Sequence, residues 1–208
     1  MLKQRDRNII QALQLFRCLS RDQIAALFFS KLKNPITSTN YVLKRLRREG
    51  YIIANENHVP YIYFSNPPAI KFNSQKVNHY LAIVDFYISV NRYSKPSVFQ
   101  VEPRYGANFM QPDIFMIWNG TPIFVEIQNS IYSVNLMNEK FNRYLHYYQS
   151  NEWKSEGWDL TKEPCFPLIW IVSKKTNYPL SFADLTIIQT SDVESFFSND
   201  LSSDLFGI

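Results

Sequence analysis

The stretch PDIFMIWNGTPIFVEIQ, residues 112–128, decides how the second part of the chain is built. Asn119-Gly120 divides it into two apolar runs, 113–118 and 122–128. An Asn-Gly pair between such runs is a tight hairpin signal, because both residues accept the positive φ that a two-residue turn needs. In the second run Ile123, Val125 and Ile127 alternate with Phe124, Glu126 and Gln128. A strand sends alternate side chains to opposite faces, so Glu126 and Gln128 share one face. Closing the hairpin brings Asp113 beside Glu126. Two carboxylates converging on neighbouring strand ends make a hard-oxygen pocket suited to Mg²⁺, an ion used in phosphodiester hydrolysis.

Working outward, residues 76–90 place Val77, Tyr80, Leu81, Val84 and Ile88 on one helical stripe. A strand is expected over 97–105. A helix over 134–149 turns Met137, Phe141, Tyr144, Leu145 and Tyr148 inward. The continuous apolar run 167–173 suits a buried strand, and a short β-containing tail follows near 185–189. The order is α-β-β-β-α-β. Asn66-Pro67-Pro68 marks a boundary, giving domains of residues 1–66 and 67–208.

The first domain reads as three helices and a hairpin. Ile9, Leu13, Phe16 and Leu19 recur at helical spacing over 5–19. Ser20 is an N-cap for a second helix over 21–29, with Ile24, Leu27 and Phe28 inward. A third helix runs over 37–49 and ends at Gly50, with Val42, Leu43 and Leu46 as its buried stripe. Thr37, Tyr41, Lys44 and Arg48 follow at i, i+4, i+7 and i+11 on the opposite face; Asn40 sits beside them, and Arg45 and Arg47 flank the stripe. Such a face carries the donors for phosphate contacts and base-edge hydrogen bonds in a major groove. Strands at 51–54 and 59–64 around Asn55-Glu56-Asn57 complete a winged helix-turn-helix order.

Charge follows the same division. Residues 1–66 carry 11 Lys and Arg against 4 Asp and Glu, a balance of +7, whereas residues 67–208 carry 11 against 14, or −3. A basic head on a slightly acidic body suits a nucleic-acid-binding module joined to something else. Cys18 and Cys165 lie far apart without metal-ligand spacing, which argues against a disulfide framework. No apolar run approaches the ~18 residues that span a bilayer, and the basic start does not lead into a secretory signal. The expectation is a cytoplasmic chain with no membrane association. His58, His79 and His146 are scattered and receive no role.

Pro112-Asp113 followed by Glu126-x-Gln128, within an α-β-β-β-α-β order, resembles the PD-(D/E)xK nuclease superfamily. Joined to a winged domain, with Val101-Glu102-Pro103-Arg104 before the hairpin and Lys140-x-x-x-Tyr144 after it, the chain resembles the replication-relaxation family of plasmids and other mobile elements. The fold so implied is α+β, an N-terminal winged helix-turn-helix followed by a PD-(D/E)xK nuclease-like domain. The resemblance implies Asp113 and Glu126 as metal-binding acids, with Glu102 or Asp85 as a third, and Gln128 where Lys is usual. Gln cannot place a positive charge near a developing phosphorane. Lys140, which on its own reads as a helix-surface lysine, could supply that charge from a shifted position.

The expected partners are double-stranded DNA, replication or transfer proteins of a mobile element, and a second copy in a homodimer. The leading expectation is a DNA-binding protein whose nuclease-like domain has weak or lost activity. The alternative is an active Mg²⁺-dependent endonuclease targeted by the winged domain. A third reading is a transcriptional regulator whose second domain binds a ligand or dimerises.

Overall fold

Local sequence chemistry sets the element boundaries in the computed structural model, which describes residues 1–158, 165–174 and 178–198. The chain divides into two compact units, Met1–Ile88 and Ser89–Ile208.

The first unit starts with α1 (Gln4–Phe16) and β1 (Leu19–Ser20). Ser20 caps α2 (Arg21–Phe28): its hydroxyl accepts from Gln23 N, and the Gln23 side chain accepts from Ser20 N in return. Pro35 opens α3 (Pro35–Arg48), where a missing N–H costs nothing. β2 (Ile52–Asn55) and β3 (Ile62–Ser65) form an antiparallel hairpin. Among the described residues the sheet order is β1-β3-β2. Ile9, Leu13, Phe16, Ile24, Leu43, Leu46 and Phe64 are buried at its core.

The first unit departs from its sequence pattern at three places. Leu19 is not on the first helix. The chain leaves α1 at Arg17, φ 68°, and Leu19 pairs with Tyr63 in the sheet. Leu27 and Phe28 are half-buried, and Ala25 and Phe29 join Ile24 in the core instead. The third helix begins at Pro35, two residues before the expected start.

The second sheet is built from β4 (Val98–Val101), β5 (Ile114–Trp118), β6 (Thr121–Gln128), β7 (Leu168–Ser173) and β8 (Ile187–Thr190). They lie in sequence order, antiparallel from β4 to β6 and parallel from β6 to β8. Asn119 and Gly120, at φ 49° and 82°, make the expected tight turn between β5 and β6. Helix α4 (Val77–Tyr93) precedes the sheet and contains the division between the units. Helix α5 (Val134–Ser150) connects β6 to β7, and α6 (Val193–Ser198) follows β8.

Each sheet face has its own core. Phe115, Ile117, Phe124, Ile169 and Ile171 pack with Met137, Phe141, Tyr144 and Tyr147 of α5. The other face carries Trp118 and Trp170, stacked at 6.1 Å between ring centroids, with Phe196 of α6 at 4.5 Å from Trp170. Ile123 and Val125 are fully buried on that face, as the alternation requires. Each such side chain contributes roughly 1.5–3 kcal/mol. On α5 the buried stripe passes through Tyr147; Leu145 and Tyr148 are half-buried. Helix α6 and strand β1 were not expected from the sequence.

Candidate functional site

Asp113 immediately precedes β5, and the register Ile114↔Val125 sets it across from Glu126. Its Oδ2 accepts from Ile127 N at 2.8 Å, which pins the acid to the end of β6. Glu126 is fully buried, on the face that packs against α5. There Lys140 and Tyr144, one helical turn apart, both reach it. Lys140 Nζ lies 2.5 Å from Glu126 Oε2, and the Tyr144 hydroxyl donates to Glu126 Oε1 at 2.6 Å. Lys140 is therefore no plain surface lysine; spacing i, i+4 on α5 aims two donors at one carboxylate.

Gln128 shares that face and is buried, opposite Ser173 of β7. Its side-chain Oε1 has no hydrogen-bond partner among the described residues. A buried acceptor in that condition costs free energy until a donor or a cation meets it.

The charges in this cluster perturb one another. Burial pushes the Glu126 carboxyl up to about 7, opposed by the Lys140 charge and assisted by Asp113. Burial alone would lower the Lys140 ammonium, but the facing charges of Glu126 and Asp113 raise it above its ordinary value. Within the pair the Lys140 charge is thus favoured, while burial holds the Glu126 carboxyl above its ordinary value.

Glu102 follows β4 with φ 48°, and its N–H donates to Asp113 O at 2.9 Å. Among the described residues no group of three or more His, Cys, Asp or Glu is placed to hold a metal ion, so Asp113, Glu126 and Glu102 do not form a three-acid cluster. Asp85 accepts from Gln23 Nε2 of α2 at 2.7 Å, within the first unit.

In the first unit Thr37, Asn40, Tyr41, Lys44 and Arg48 are all exposed along one side of α3, Tyr41 at 75 %. Arg45 and Arg47 differ from them. Arg45 pairs with the buried Asp6 at 2.7 Å and with Glu49 at 3.2 Å; Arg47 is held by Glu56 beyond β2. Burial works against the Asp6 charge, yet Arg45 and the Lys3 N–H together hold its carboxyl below the usual range. Sequence reasoning missed this partner, which lies 39 positions from Arg45. It also gave Tyr144 no direct contact with Glu126, although the i, i+4 relation to Lys140 was available as a signal.

No family model, curated protein or solved structure matches this chain. No helix of the described residues is long and apolar enough to cross a membrane.

Proposed function

We propose that the chain is a DNA-binding protein of the replication-relaxation type, and that its second unit is an Mg²⁺-dependent endonuclease. The helix order with the β1-β3-β2 sheet supports reading the first unit as a winged helix-turn-helix. A five-stranded sheet that changes from antiparallel to parallel at β6, with α5 crossing over, supports the PD-(D/E)xK reading of the second.

One observation moves the balance from lost to retained activity. The cation that Gln128 cannot provide is present as Lys140, in contact with Glu126. The donor set also suits a hard divalent cation: the Asp113 and Glu126 carboxylates and the unpartnered Gln128 Oε1 are all oxygens. When bound, such an ion supplies Lewis acidity to the phosphoryl group.

The chain's own residues do the remaining work. Asp113 is tied to the end of β6 by the Ile127 N–H, which its Oδ2 accepts. Glu126 must lose its proton to act as a ligand, and Lys140 and the Tyr144 hydroxyl stabilise the carboxylate so formed. Lys140 then stands beside the site with its charge intact, where it offsets the negative charge that develops on a phosphorane. On the first unit, Lys44 and Arg48 contact phosphates while Thr37, Asn40 and Tyr41 face the groove. The test is Mg²⁺-dependent relaxation of supercoiled plasmid, beside duplex binding measured without metal.

A further inference from the structure

The first unit contains a cleft of about 770 Å³ between the C-terminal half of α3 and β2. That lies within the range of ~300–1,000 Å³ common to small-ligand sites. It is lined by Lys44, Arg47 and Arg48 of α3, by Ile52, Ile53 and Ala54 of β2, and by Phe72.

The cations are not equivalent. Arg47 is turned to Glu56, whereas Lys44 and Arg48 have no ion pair among the described residues. Phe72 is an exposed ring tied into the unit by two contacts. It packs on Phe64 at 4.7 Å between centroids, and its carbonyl accepts from Asn55 Nδ2 at 3.4 Å, yet it stays 37 % exposed. A helix face that met only duplex phosphates would need neither an apolar lining nor an aromatic plate. Two free cations beside such a plate match a planar ring carrying a phosphate.

We infer that this cleft binds a nucleoside phosphate, with the base against Phe72 and the phosphate at Lys44 and Arg48. The ligand is either a free nucleotide or an unpaired nucleotide of a DNA strand. The strand form rests on the DNA reading of the first unit proposed above. Base–aromatic stacking tolerates any base, so the site selects unpaired over paired nucleotides rather than one sequence.

The test compares three probes on the full chain: a perfect duplex, the same duplex with one bulged 2-aminopurine, and 2′-deoxyadenosine 5′-monophosphate. Phe72→Leu keeps an apolar side chain on Phe64 while removing the planar ring, and Phe72→Tyr serves as the conservative control. The bulged duplex is expected to bind about tenfold more tightly than the perfect one, with its 2-aminopurine fluorescence quenched. Phe72→Leu should erase that advantage and the quenching, leave perfect-duplex affinity unchanged, and be rescued by Phe72→Tyr. Competition by the free mononucleotide identifies the free form as a ligand; its absence, with the bulge preference intact, assigns the site to DNA strands.

Equal affinity for bulged and perfect duplexes, with no mononucleotide binding, overturns the inference and leaves duplex binding standing. Mononucleotide binding that Phe72→Leu removes, without affinity for either duplex, sustains the cleft and contradicts the DNA reading. Failure of all three probes to bind overturns both.

Discussion

Lys140 Nζ and Glu126 Oε2 lie 2.5 Å apart, joining α5 to the end of β6 through a fully buried carboxylate. Removing one member of such a pair leaves the other desolvated and alone, which is far costlier than removing both. This contact gives the second unit a cation at the acid cluster without a lysine on the strand itself. Burial raises the Glu126 carboxyl and the Lys140 contact opposes that rise.

The pH dependence has a definite sign. The folded Glu126 carboxyl is raised to about 7 from an ordinary value of 4.5. Its contribution to stability is therefore fully present below the ordinary value and is lost as pH rises through 7. All four tryptophans, Trp118, Trp153, Trp158 and Trp170, belong to the second unit, so their fluorescence reports its unfolding. The urea midpoint should fall between about pH 5 and pH 8 in the wild type, and Glu126→Gln should flatten that fall. An unchanged slope in the variant would assign the pH dependence to other groups.

Arg45 ties α3 to α1 through Asp6. It pairs with Asp6, which is buried, and it is itself 23 % exposed. Arg45→Ala should destabilise the first unit by about 2 kcal/mol, a figure reduced from that of a fully buried pair because solvent reaches Arg45. Hydrogen exchange of amides in residues 1–88 measures this. Protection equal to that of the wild type would show that Asp6 tolerates the loss.

Lys44 and Arg48 should behave in the opposite way. Both are exposed and free of ion pairs among the described residues. Lys44→Ala and Arg48→Ala should leave the melting temperature within about 1 °C and weaken duplex binding. Each should lower the slope of log affinity against log salt by about 0.9, one phosphate contact apiece. An unaltered slope would place the DNA contacts on another surface.

The sequence was most legible where structure is local. The Asn119-Gly120 turn, the alternation through Glu126 and Gln128, and the Ser20 cap are each written within a few residues, and all of them form. Strand β1 was not legible, because its two residues become a strand only by pairing with Ile62 and Tyr63. Helix α6 is six residues long, too short for an apolar period to register. The polar partnerships were the least visible. Gln23 with Asp85, Asp6 with Arg45 and Glu126 with Lys140 are separated by 62, 39 and 14 positions. Charge at one position does not announce which distant position will face it. Lys140 and Arg45 are therefore both drawn into contacts that their sequence neighbourhoods did not suggest.

The most direct measurement is cleavage of supercoiled plasmid by the wild type, Glu126→Gln and Lys140→Ala, with Mg²⁺ and with chelator. Duplex binding is followed in parallel on the same preparations. Mg²⁺-dependent nicking is expected from the wild type, about a hundredfold slower in Lys140→Ala and absent in Glu126→Gln, with all three binding duplex alike. Wild-type protein that binds duplex but leaves plasmid intact would contradict that expectation, and would leave the second unit a platform for DNA or partners rather than an enzyme.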